Sequence, residues 1–197
     1  MKKVLSIVLA LAICVGACFV FASCNKDDAD TPKTDAVKYK IGICQLMEHV
    51  ALDAATEGFK QAIIDELGED AVEFDVQNGQ GDPATCSTIA NQFVSNNVDL
   101  IMANATGALQ AAYNSTETIP VLGTSITEYG VALGLENFNG TVGGNVSGTS
   151  DLAPLDEQAQ MIIDLVPTAK TVGLLYCSAE PNSKYQVEVV SKYLTDK

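Results

Sequence analysis

The sequence contains no arginine and no tryptophan, one histidine (His49) and few charges, 18% against 47% apolar residues over 197 positions. That apolar content argues against disorder and fits one domain or a small two-lobed protein. All 11 basic residues are lysines, and they face 25 acidic ones for a formal net charge of −14. Nucleic-acid binding needs clustered positive charge, so the balance argues against it. A single imidazole cannot build a multi-histidine centre, and neither a metal nor a cofactor is expected. Without a guanidinium fork, a bound carboxylate must be held by N–H and O–H donors.

What the N-terminus does contain is a targeting pattern. Lys2 and Lys3 precede an uncharged apolar run over 4–22, followed abruptly by Cys24 and the polar NKDD. The basic start, apolar centre and small residues before the cysteine read as a secretory signal over 1–23 rather than a membrane span. Phe21-Ala22-Ser23-Cys24 resembles a bacterial lipobox, with Cys24 lipidated as the new N-terminus. Residues 24–38 then form a polar tether. Cleavage leaves 197 − 23 = 174 residues carrying 9 lysines and 25 acids, about −16. Cys44, Cys86 and Cys177 remain, an odd number that reads as free, buried thiols rather than a disulfide framework.

From residue 38 the apolar period alternates. Strands are expected over 38–45, 71–76, 98–103 and 119–123, with helices between them. Leu52, Ala55, Phe59, Ala62 and Ile63 recur at helical spacing and Gly68 stands at the stop. Asp82-Pro83 supplies an N-cap and a first-turn proline, and Thr106 is expected to cap a short helix over 107–113. Such β-α alternation predicts an α/β fold with a doubly wound parallel sheet. Short strands are expected at 132–135 and 144–146, a helix opened by Asp151 and Pro154, a strand over 171–177 and a helix from Asn182. The first lobe is therefore placed at 39–149. Residues 150–197 read as the start of a second, incomplete lobe, and the chain as cut short at its C-terminus.

Residues 41–53 (IGICQLMEHVALD), 143–151 (GGNVSGTSD) with Gln158, 167–176 (PTAKTVGLLY) and 180–183 (EPNS) occur in order. In these motifs the chain resembles the ABC-transporter substrate-binding lipoproteins of the tryptophan/tyrosine-uptake type. The resemblance covers about 39–197. It implies a type I periplasmic-binding-protein fold, a Rossmann-like first lobe, an ABC permease as partner and a place on the outer face of the cytoplasmic membrane. The implied ligand is amino acid-like and aromatic. The chain departs from the family at His49-Val50, where His-Pro is common, and at Thr127-Glu128-Tyr129, where Thr-Asp-Pro is common.

In parallel α/β sheets, ligands bind beyond the carboxyl ends of the strands. Segments 45–49, 78–82, 104–107 and 123–127 meet there, which nominates Gln45, Glu48, His49, Thr106, Thr124 and Thr127. The free N–H groups of the Thr106 helix, with hydroxyls at Thr124 and Thr127, are the expected seat for an α-carboxylate. Ordinary N-capping and turn chemistry are the rival readings of the same residues. Ser150 and Asp151, where the chain enters the second lobe, and Ser178, beyond its strand, are the opposing candidates. Asn78-Gly-Gln-Gly-Asp82 lacks the Lys-Ser/Thr of a phosphate loop and reads as a strand-to-helix turn.

Two other classes compete. A lipid-anchored hydrolase would use Cys44 with His49, but strand alternation aims Cys44 into the core, and no Gly-x-Ser-x-Gly elbow surrounds Ser147. No catalytic residue is therefore assigned. A structural surface protein would bind no small molecule at all.

Overall fold

Seven residues, Tyr39–Gln45, form the first strand, β1, and its last five are buried. The architecture is that of a computed structural model, which describes residues 38–197. The expected signal over 1–23, the lipidation residue Cys24 and the tether up to residue 37 lie outside the described residues.

Each following element starts and stops where its residues require. Helix α1 (Val50–Leu67) begins at His49, whose Nδ1 accepts from the Ala51 N–H, and ends at Gly68 with φ 89°. Glycine takes that positive φ at little cost. After β2 (Val72–Asn78), helix α2 (Pro83–Ser95) is capped by the Asp82 carboxylate, which accepts from the Ala84 and Thr85 N–H groups. Then come β3 (Leu100–Asn104), α3 (Thr106–Ser115), β4 (Val121–Ile126), the short α4 (Tyr129–Leu133), β5 (Val146–Ser150), α5 (Leu155–Leu165) and α6 (Pro181–Thr195).

The five strands form one parallel sheet in the order β2-β1-β3-β4-β5, the doubly wound arrangement that the alternation predicts. Alternate residues divide the core between its faces. Cys44, Ile101, Ala103 and Val121 pack with Cys86, Ile89 and Phe93 of α2 and Leu109 of α3. On the other face Ile41, Ile43, Val72 and Met102 meet Phe59, Ile63 and Ile64 of α1. Phe93 is fully buried, and burying such a side chain contributes about 1.5–3 kcal/mol. Helix α2 lies close on β1, since a Cβ at Gly42 would stand 2.6 Å from Phe93 Cγ.

Three of the expected strands change. Residues 132–135 are not a strand. They end α4, because Glu128 caps that helix and Tyr129 anchors it in the core. The strand expected at 144–146 begins only at Val146, after a bridge between Gly143 and Val146. Residues 171–177 pair with no strand among the described residues, and Leu175 stands fully exposed. Their sequence has strand character, but a strand needs a neighbour to bond. Helices α5 and α6 pack beside this segment, joined by the Tyr193 hydroxyl donating to Gln160 Oε1 at 2.7 Å.

Candidate functional site

The parallel register lines up four polar residues across the carboxyl ends of the strands, Asn78, Gln45, Asn104 and Thr124 in that order. Two of them turn inward. Gln45 Nε2 donates to the Met47 carbonyl at 2.8 Å and to Asp53 Oδ1 at 2.6 Å, while its Oε1 accepts from the Thr56 hydroxyl at 2.7 Å. Asn104 Nδ2 donates to the Leu52 carbonyl at 2.8 Å and to Thr56 Oγ1 at 3.0 Å. Gln45 therefore braces α1 against β1, and its amide has no hydrogen left to offer. The Asn104 Oδ1 is buried and without a partner.

The ends of β3 and β4 are built differently. The sequence places Thr106 as the cap of a helix over 107–113. Instead the helix starts on Thr106 itself and the cap position falls to Ala105, which has no side-chain oxygen. Ala105 adopts φ 83° and ψ 159°, a region that is essentially reserved for glycine and costs about 1–3 kcal/mol elsewhere. Its N–H donates to the Thr124 carbonyl at 3.0 Å. On β4, Ser125 also takes a positive φ, 56°, and the β4–β5 register shifts between Gly123 and Ile126. Two adjoining strand ends thus carry backbone strain beside a helix N-terminus that no side chain caps. First-turn N–H groups in that state are free donors for an anion.

Thr124 is half-buried, and the Thr149 hydroxyl approaches its Oγ1 at 3.5 Å. Thr127 is buried, with its carbonyl accepting from the Ser150 hydroxyl at 2.8 Å. Ser150 is thereby spent as a strap between β4 and β5. Asp151 extends the same ladder, donating its N–H to the Ile126 carbonyl at 2.9 Å, and is exposed. It does not cap α5, which begins four residues later behind Pro154. Glu48 and His49 are exposed at the β1 end, and the Nδ1 of His49 is engaged as the α1 cap. Ser178 is exposed beyond the extended 171–177 segment.

The Asn78–Asp82 turn is a plain strand-to-helix connection. Asn78 Oδ1 accepts from the Gln80 N–H at 2.8 Å, and the Gly79 and Gly81 N–H groups donate to the Gln45 and Leu46 carbonyls, each at 2.8 Å. The Thr85 hydroxyl and the Ala84 and Thr85 amides, all bonded to the Asp82 carboxyl, hold it below its usual range. Cys44 and His49 do not assemble as a dyad. The Cys44 thiol lies in the core with Cys86, and that neighbour together with burial pushes it far above the usual thiol range. Among the described residues no three His, Cys, Asp or Glu side chains are placed to hold a metal ion.

Sequence reasoning missed Ala105, Ser125 and Tyr129. The first two carry no compositional mark, because their roles lie in backbone angles that an alanine or serine does not advertise. Tyr129 is visible only as a departure from the family pattern. Its buried hydroxyl bonds the Gly123 carbonyl, and burial, with a smaller contribution from Asp151, pushes it up to about 12.

Comparison with known proteins gives a consistent result. The sequence model for ABC transporter substrate binding proteins matches residues 40–197. A tyrosine-binding protein of Clostridioides difficile (strain R20291) is 40% identical over 200 residues, 98% of this chain and 57% of its own length. The ABC domain of a Streptococcus pneumoniae protein, solved in complex with L-Trp, superposes with a TM-score of 0.74 at 36% identity. It covers 81% of this chain and 54% of that one. A ligand-free, open substrate-binding protein with adhesive properties from Clostridium difficile gives a TM-score of 0.63 at 41% identity, with the same coverage. The chain thus spans little more than half the length of these relatives.

Proposed function

This chain belongs to the family of ABC transporter substrate-binding proteins, and from that premise we propose that it captures an aromatic amino acid for an ABC permease. The observation that carries the reading is the uncapped helix at Thr106 between two strained strand ends, Ala105 and Ser125. A chain without arginine holds an α-carboxylate there by N–H and O–H donors, Thr106 from the helix and Thr124 or Thr127 from β4. His49, Glu48 and the neighbouring loop lie on the side of the ligand's ring, and Ser150, Asp151 and Ser178 on the side of the second lobe. Tyrosine or tryptophan is supported as ligand by the relatives that bind them. In this reading residues 39–149 form the first lobe and 150–197 belong to the second.

Substrate-binding proteins of this family are extracytoplasmic, and among the described residues no helix is long and apolar enough to cross a membrane. The signal over 1–23 and a lipid on Cys24 would tether the domain beside its permease.

Calorimetric titration of L-tyrosine and L-tryptophan, with L-leucine for comparison, tests the reading. The aromatic ligands are expected to bind, and Thr106→Val to weaken them about ten- to a hundredfold, because a hydrogen bond to a charged group is worth about 1.5–3 kcal/mol. Thr85→Val, on the outer turn of α2, should leave affinity unchanged. Equal affinities in wild type and Thr106→Val would remove Thr106 from the site.

A further inference from the structure

The core contains two thiols that ligand binding does not use. Cys44 on β1 and Cys86 in the first turn of α2 are both fully buried, in the same cluster. Two glycines bring them together. Gly42 lets α2 settle on β1, so that Phe93 covers it. The helix runs back over the strand from there. Two turns earlier along α2 stands Cys86, and two residues further along β1, on the same face as Gly42, stands Cys44. At Gly79 a Cβ would collide with Cys86 Sγ, which fills the space a side chain would take. Both side chains lie in one buried cluster, and each is the neighbour that most strongly shifts the other's thiol.

We propose that Cys44 and Cys86 form an intramolecular disulfide in the exported protein, tying β1 to α2 beneath the 45–49 and 78–82 loops. The compartment outside the cytoplasmic membrane permits it. The oxidant is an external disulfide, of a small molecule or of an oxidoreductase. One cysteine thiolate attacks it and releases a first thiol, leaving a mixed disulfide. The second cysteine then attacks the bridged sulfur and releases a second thiol. In sum the two cysteines lose two electrons and two protons, and the external disulfide is reduced to two thiols. Because both sulfurs are shut off from solvent once α2 is seated, the exchange takes place in the folding chain. The bridge closes a loop of about 40 residues, which restricts the unfolded chain more than a short loop does.

Peptide mapping tests this. The protein, exported or refolded with oxidised glutathione, is denatured in iodoacetamide without reductant and cut after lysine. No lysine lies between Lys60 and Lys170, so Cys44 falls in peptide 41–60 and Cys86 in peptide 61–170. The expected product is the two peptides joined, two hydrogens lighter than their sum and unalkylated at both sites. Thermal melting should occur several degrees higher than in the reduced protein, roughly as a loop of this size implies. In Cys86→Ser that redox difference should vanish. Separate peptides alkylated at Cys44 and Cys86 in both preparations would overturn the proposal. So would a bridge to Cys177 instead. The map needs only the wild-type protein, so it decides between these outcomes even where the Cys86→Ser chain fails to fold.

Discussion

The Tyr129 hydroxyl donates to the Gly123 carbonyl at 3.0 Å and lies 3.3 Å from the carbonyl of Thr149, one acceptor on each side of the β4–β5 pair. It reaches them only because Gly123 and Gly148 have no side chains. A Cβ at either position would collide with that hydroxyl, and at Gly148 also with the Gly123 backbone. The ring therefore acts as a wedge where the β4–β5 register shifts, between Gly123 and Ile126.

Tyr129→Phe keeps the ring and removes the donor, leaving two strand carbonyls without it. Loss of a buried partner costs about 1–3 kcal/mol. Thermal melting should therefore fall by several degrees, at roughly 2–4 °C per kcal/mol for a domain of this size. The wild type should also weaken in alkali. Its folded-state phenol titrates at about 12 against the ordinary 10.0, so the stabilisation is intact below pH 10 and is lost as the pH rises toward 12. Melting curves between pH 9 and 12 should show a loss in the wild type that Tyr129→Phe lacks. Parallel curves for both proteins would contradict the wedge.

Backbone hydrogen exchange should divide the chain sharply. Amides of β3, bonded on both sides within the sheet, are expected to be the slowest. Those of 172–176 have no ladder partner among the described residues and should exchange orders of magnitude faster. Equal protection of the two segments would mean that 171–177 is paired.

Membrane attachment should depend on one sulfur. With Cys24→Ala, processing of the precursor and retention in the membrane fraction should both be lost, since the lipid has no other acceptor in the Phe21-Ala22-Ser23-Cys24 motif. Processing and membrane retention both unchanged by Cys24→Ala would rule out lipidation at this position.

Much of the fold is legible in the sequence because its punctuation is chemical. Gly68 ends α1, and Asp82-Pro83 starts α2, through groups whose preferences do not depend on distant partners. The continuous run into Ala103 likewise marks a strand buried on both faces. The failures share a different cause. Residues 132–135 look strand-like on their own, but the wedge of Tyr129 and the Glu128 cap decide for a helix. The Thr106 cap is displaced by one residue because an alanine accepts angles that its side chain disfavours, and tertiary contacts hold it there. Gln45 and Asn104 fall at the expected strand ends, yet their amide N–H groups are spent on the Met47 carbonyl and on Asp53, Leu52 and Thr56 of α1, which leaves only the Asn104 Oδ1 without a partner. Position along a strand is readable from sequence. The direction in which a polar side chain spends its hydrogen bonds is not.

The strand order has a consequence in time. β1 lies between β2 and β3, and the Lys40 N–H meets the Asp99 carboxylate 59 residues further along the chain. A polypeptide delivered N-terminus first must therefore hold an apolar strand with one side open until β3 has arrived. Every parallel pairing in this sheet waits on a crossover, and closing so long a loop precedes any reward from its contacts. The helices can flicker in and out within microseconds, while the sheet as a whole assembles only when its third strand docks. For a secreted chain, the vulnerable interval falls between the emergence of Cys44 and the docking of Asn104 beside Gln45.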